Sequence, residues 1–119
     1  MTLRDKAVWI AWKLHLGDYP AYSRRRRRDL PPLDPNECAL KALARIERGH
    51  SRPELQAAID EAGAFLRRAL ELFENKYGHA YPGRKAEEDL ARDFAVAFPE
   101  FSPESHRSAV TFGVLSFCK

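Results

Sequence analysis

This sequence has few cysteines and no long hydrophobic run, and both shortages exclude classes of protein. Cys38 and Cys118 lie far apart and form no CxxC pair, which argues against zinc ribbons and dithiol redox motifs. We interpret both as small apolar core residues. The run Val8–Trp12 is too short for the hydrophobic part of a secretion signal or for a membrane span. We therefore expect a cytoplasmic protein that makes no contact with a membrane.

The signatures of common catalytic and cofactor sites are missing as well. The sequence has no HExxH motif, no glycine-rich phosphate loop, no nucleophile elbow and no dinucleotide fingerprint. His15 and His50 lie next to predicted helix C-termini, which favour a protonated imidazole, and His79 falls in a predicted loop with Tyr81 and Arg84. No set of residues supplies a nucleophile, a base and an orienting group. We predict a protein that is not an enzyme and that uses no metal or cofactor.

An excess of positive charge is also missing outside one segment. The chain has 20 Lys and Arg residues against 17 Asp and Glu residues, a formal net charge of +3. Without one run of arginines the balance is 15 against 17, a net charge of −2. Charge concentrated in this way acts on partners more strongly than dispersed charge. The run consists of Arg24, Arg25, Arg26, Arg27 and Arg28.

Three interpretations of the arginine run remain open. It can bind a protein partner with an acidic surface and accelerate association. It can also pair with the phosphates of RNA or DNA while Tyr19 and Tyr22 stack on bases. In the third interpretation the run is a solvated segment with no partner.

The rest of the sequence predicts an all-α fold. Helix start and stop residues, such as the capping box that opens at Ser51, delimit five helices. A basic connector, residues 17–34, joins the first two, and a short helix over 21–29 can begin at Pro20. The segment 109–118 is rich in β-branched and aromatic residues, so a strand is the alternative there. We predict one domain over residues 1–119, a bundle of four to five helices, at about 3–16, 35–48, 52–77, 85–98 and 103–118, with a loop over 78–84.

Apolar periodicity predicts how these helices pack. The third helix has the clearest stripe, and its length allows a second seam for self-association as a homodimer. The first helix is apolar around most of its circumference, so we expect it and the third helix to form the centre. We predict that Trp9 and Trp12 lie in the core; if exposed, they would mark a partner site. The stripe of the third helix consists of Leu55, Ile59, Ala62, Leu66, Ala69, Phe73 and Tyr77.

Acidic pairs give the only support for an enzyme. Glu71 and Glu74 have a three-residue spacing and Asp89 and Asp93 a four-residue spacing. Helical hydrolases hold divalent metals with carboxylates at such spacings. Neighbouring basic residues such as Arg92 favour ordinary ion pairs on a solvated face instead. We therefore predict a small interaction protein, with nucleic-acid binding as the alternative and a metal-dependent hydrolase as the second alternative.

Overall fold

The computed structural model describes residues 2–16, 35–78 and 82–117. Several sequence predictions fall on residues outside these ranges. They are the connector 17–34 with its predicted helix over 21–29, both tyrosines and all five arginines of the predicted binding segment, His79 and Cys118.

The described residues form five α-helices and no strand, which confirms the all-α prediction. The strand alternative for residues 109–118 is wrong over its described part, because the last helix continues to Phe117. This helix starts where Ser102 accepts hydrogen bonds from the backbone N–H groups of Ser105 and His106. The helices are α1 (Leu3–Leu16), α2 (Pro35–Ile46), α3 (Arg52–Tyr77), α4 (Arg84–Ala97) and α5 (Pro103–Phe117).

Capping residues set the ends of α3 as predicted. The Ser51 hydroxyl accepts from the backbone N–H of Glu54, and the Glu54 carboxylate accepts from the backbone N–H of Ser51. Gly78 ends the helix with its N–H bonded to the carbonyl of Glu74. Helix α2 ends at Ile46, slightly earlier than predicted, and the chain then turns through Gly49, whose φ of 93° favours glycine.

The core lies around α1 and α3, as predicted. Helix α1 packs against α2, α3 and α5, and α5 also packs against α3 and α4. A helix covered on three sides buries apolar residues around most of its circumference. The largest fully buried side chains are Phe73, Phe94, Leu43, Leu66, Leu90 and Val8.

The apolar patterns of the second and fourth helices predict that Ala44, Ile46 and Ala97 are buried, and Trp9 is predicted in the core as well. All four are exposed, Trp9 by 45% and Ile46 by 50%. The side of an apolar helix that is covered depends on where the neighbouring helices pack. Leu72 is an exposed large apolar side chain of α3, and self-association through a second seam on this helix stays a prediction.

Candidate interaction surface

The outer side of α1 presents a stacked pair of tryptophans. The indole rings of Trp9 and Trp12 lie with their centroids 5.4 Å apart and their planes 12° from parallel. Helical spacing of three residues places both side chains on one side of α1. Trp12 is partly buried against the core, whereas Trp9 extends into solvent. The stack therefore holds Trp9 in place without covering it.

Lys13 adds positive charge to this pair. Its Nζ atom lies 4.6 Å from the centroid of the Trp9 ring and 5.9 Å from that of Trp12, within the range of a cation–π contact. The Nε1 atom of Trp12 is buried and has no hydrogen-bond partner among the residues that the structure describes. Trp9, Trp12 and Lys13 together form what we call the Trp9 surface.

A small cavity of about 150 Å³ opens beside Trp9, between α1 and α5. Trp9 and Asp5 line it from α1, and Glu104, Ser105 and Ser108 line it from the first turns of α5. The Ser105 hydroxyl on α5 donates to the Asp5 carboxylate on α1, so the first turns of the two helices lie side by side here. The cavity gives the exposed indole a polar neighbour on its own protein.

A buried carboxylate ties the starts of α1 and α5 together. Asp5 accepts hydrogen bonds from the Ser105 hydroxyl at 2.5 Å, the Ser102 backbone N–H at 3.0 Å and the Thr2 hydroxyl at 2.7 Å. Burial by itself raises the pKa of Asp5, but these hydrogen bonds outweigh it and lower the pKa to about 2. Asp5 is therefore ionised at neutral pH, and its hydrogen bonds to Ser102 and Ser105 join the start of α1 to the start of α5.

A second and larger cavity lies at the N-terminal end of α1. It has a volume of about 660 Å³ and runs between α1, the first half of α3 and the turn from α4 to α5. Arg4 crosses it, with Nε 2.5 Å from the Glu61 carboxylate and Nη1 donating to the Glu100 carbonyl at 3.1 Å. We call this cavity the Arg4 groove.

Two of the acidic residues proposed for a hydrolase form ordinary ion pairs. Asp93 pairs with Lys76 at 2.7 Å, and Asp89 pairs with Arg92 at 3.3 Å. Within residues 2–16, 35–78 and 82–117, no group of three His, Cys, Asp or Glu side chains could hold a metal ion. For Asp89 and Asp93, these contacts agree with the ion pairs favoured by the sequence.

Two histidines also have specific surroundings. His50 Nδ1 lies 3.1 Å from the Glu54 carboxylate. His50 follows the end of α2 and contacts the first turn of α3. His106 is buried, and its Nε2 lies 2.8 Å from the Phe98 carbonyl oxygen. Neither histidine faces a nucleophile among these contacts.

The sequence prediction is wrong for Trp9, which is exposed, whereas Trp12 packs against the core as predicted. Because α1 is apolar on nearly every side, its pattern could not distinguish an exposed indole from a buried one. The available signal was Lys13, a charged residue four positions after Trp9 on the same side of the helix. The arginine-rich segment follows the Trp9 surface closely in sequence.

No family model, curated protein or solved structure matches this chain. Among the described helices, none combines the length and the apolar character needed to cross a membrane.

Proposed function

We propose that this protein is a small non-enzymatic interaction protein, of the regulator, inhibitor or immunity type, that binds another protein through the Trp9 surface. The observation that carries the proposal is the 45% exposure of Trp9 on a helix whose other side chains, over residues 3–13, are buried or partly buried. Tryptophan is enriched among the residues that dominate binding energy at protein interfaces. The stack on Trp12 preorganises the side chain, which lowers the entropy cost of binding.

The basic residues that follow Trp9 in the sequence favour an acidic partner. Lys13 supplies one positive group, and Arg24–Arg28 follow in the same part of the sequence. A partner with an apolar pocket for the indole and carboxylates around it would match both features. Within the cell we place this interaction in the cytoplasm.

Replacing Trp9 by alanine is expected to lower capture of the partner at least tenfold. Truncating a central interface tryptophan costs about 2 kcal/mol or more, and every 1.4 kcal/mol is tenfold in affinity. Quantitative mass spectrometry of proteins captured by the tagged full-length chain measures the change.

Val96→Ala is the matched control, because Val96 is 84% exposed but lies on α4. We expect this variant to capture the same partners as the original chain. Circular dichroism melts of both variants would check that they fold. Identical capture by the Trp9 and Val96 variants would remove the proposal.

Binding to single-stranded nucleic acid is the second candidate, favoured by an exposed indole beside an ammonium group. Such pairs provide stacking and charge for bases and phosphates. Fluorescence anisotropy with a single-stranded RNA, measured against salt, tests it. If all five arginines contact phosphates, changing them to glutamine reduces the log–log salt slope by about 3 to 4 units, at ~0.7 per contact. Absence of binding by the original chain at low salt excludes this candidate.

A further inference from the structure

The outer side of α2 carries a group of basic side chains without acidic partners. Lys41 and Arg45 are four residues apart on α2, so they lie on the same side of the helix, and Arg48 follows in the turn after it. All three side chains are exposed. Among the residues that the structure describes, no carboxylate pairs with any of them. We call these three residues the α2 basic surface.

The acidic residues of α2 and of the turn after it are already paired with other bases. Glu37 pairs with Arg52, and Glu47 pairs with Lys6 at 3.2 Å. The sequence between these two glutamates contains no further acidic residue. The positive charge of the α2 basic surface is therefore available to a partner.

The ion pair between Lys6 and Glu47 places the end of α2 next to the outer side of α1. Lys6 comes three residues before Trp9 and seven before Lys13, a spacing that puts these side chains on one side of α1. Glu47 directly precedes Arg48, the last residue of the α2 basic surface. The Trp9 surface and the α2 basic surface are therefore neighbours on the folded chain.

We propose that the α2 basic surface binds an acidic segment of the same protein partner that contacts the Trp9 surface. Each guanidinium group, on Arg45 and on Arg48, can hold a carboxylate through two parallel hydrogen bonds, and Lys41 adds a third positive charge. Three positive groups without compensating carboxylates complement a run of acidic side chains. Helix α2 has no aromatic residue on which a base could stack, which favours a protein over a single-stranded nucleic acid. Because it assigns the charged part of that partner's interface, this inference rests on the proposed function.

The probe is an acetylated and amidated hexaglutamate peptide, with hexaglutamine as its uncharged counterpart. The receptor is the full chain with Arg24–Arg28 changed to glutamine, so that the peptide cannot bind to the arginine run. A titration at low salt, followed by ¹H–¹⁵N correlation spectra, should give saturable shifts at Lys41, Arg45 and Arg48. Hexaglutamine should bind at least tenfold more weakly, and equal binding of the two peptides would overturn the proposal.

A thymidine heptanucleotide, whose six phosphates match the charge of hexaglutamate, tests the choice of partner. We expect it to bind the same receptor no more tightly than hexaglutamate does. Binding at least fivefold tighter than that of hexaglutamate would make the α2 basic surface a nucleic-acid site and would overturn the proposal.

Two triple variants then test the residues. The α2 triple variant, with glutamine at all three positions of the α2 basic surface, should weaken hexaglutamate binding at least fivefold. The control, Arg67→Gln with Lys85→Gln and Arg107→Gln, removes the same charge from exposed sites on α3, α4 and α5 and should change binding less than twofold. Equal weakening by both triple variants would contradict a specific role of α2.

Capture of the partner separates a failure of this inference from a failure of the proposed function. In the mass-spectrometry assay with the tagged full-length chain, the α2 triple variant should lower at least fivefold the same proteins that Trp9→Ala lowers. If Trp9→Ala lowers their capture and the α2 triple variant does not, the inference fails and the proposed function stands. If only the α2 triple variant lowers capture, the proposed function fails, and the shared partner fails with it.

Discussion

Gly113→Ala should destabilise the fold by about 1–2 kcal/mol, even though alanine is the better helix former by about 1 kcal/mol. A Cβ atom at position 113 would lie 2.8 Å from Cδ2 and 3.1 Å from Cγ of Phe73. Phe73 is fully buried on α3, and its own Cβ would be 3.4 Å away, so turning the ring cannot relieve the contact. Helices α3 and α5 would have to move apart. Thermal unfolding should show a midpoint lower by about 4–8 °C per kcal/mol.

Gly63→Ala is the matched control for this prediction. Gly63 lies in the middle of α3, and a Cβ there would meet nothing closer than the Arg67 guanidinium at 4.0 Å. Since only helix propensity changes, this variant should be more stable by about 0.5–1 kcal/mol. If both alanine variants shift the unfolding midpoint in the same direction, the close approach of α3 and α5 at Gly113 is contradicted.

Local chemistry made the helices predictable from the sequence. Ser51 with Glu54 specified the start of α3, Pro103 the start of α5, and Gly78 the end of α3, because each acts on its own neighbourhood of a few residues. The stripe of α3 was predictable for the same reason: its spacing keeps one side apolar over the whole helix.

The buried side of a helix was less predictable where the helix has no polar side. Trp9, Ala7 and Val8 lie within three consecutive positions of α1, yet only Trp9 is exposed. That difference depends on where α2, α3 and α5 pack around α1, which is a property of the assembled bundle. The Arg4 groove is a tertiary feature of the same kind, since its carboxylates come from α1, α3 and the turn before α5.

Asp5→Ala should destabilise the protein by about 2–4 kcal/mol, because it leaves buried donors unpaired. The Ser102 backbone N–H and the Ser105 hydroxyl both donate to the Asp5 carboxylate, which is 5% exposed. Denaturant unfolding measures the loss. Glu104→Ala, which removes an exposed carboxylate from the same end of α5, should change the free energy of unfolding by less than about 0.5 kcal/mol. A comparable loss from both variants would show that the buried hydrogen bonds do not tie α1 to α5.

The pKa of the same carboxylate predicts how the free energy of unfolding changes in acid. The pKa of Asp5 falls from its ordinary value of 3.8 to about 2 on folding, so ionised Asp5 stabilises the folded state above pH 4. That contribution, about 2 kcal/mol, is lost as the pH falls from about 4 to about 2. Glu54, with a pKa also lowered to about 2 by His50 and Ser51, titrates in the same window. Asp5→Asn should therefore reduce the dependence of the free energy of unfolding on pH between about 4 and about 2. Asp5→Asn combined with Glu54→Gln should reduce it further. A pH dependence unchanged by Asp5→Asn would mean that Asp5 is not the buried anion joining the two helices.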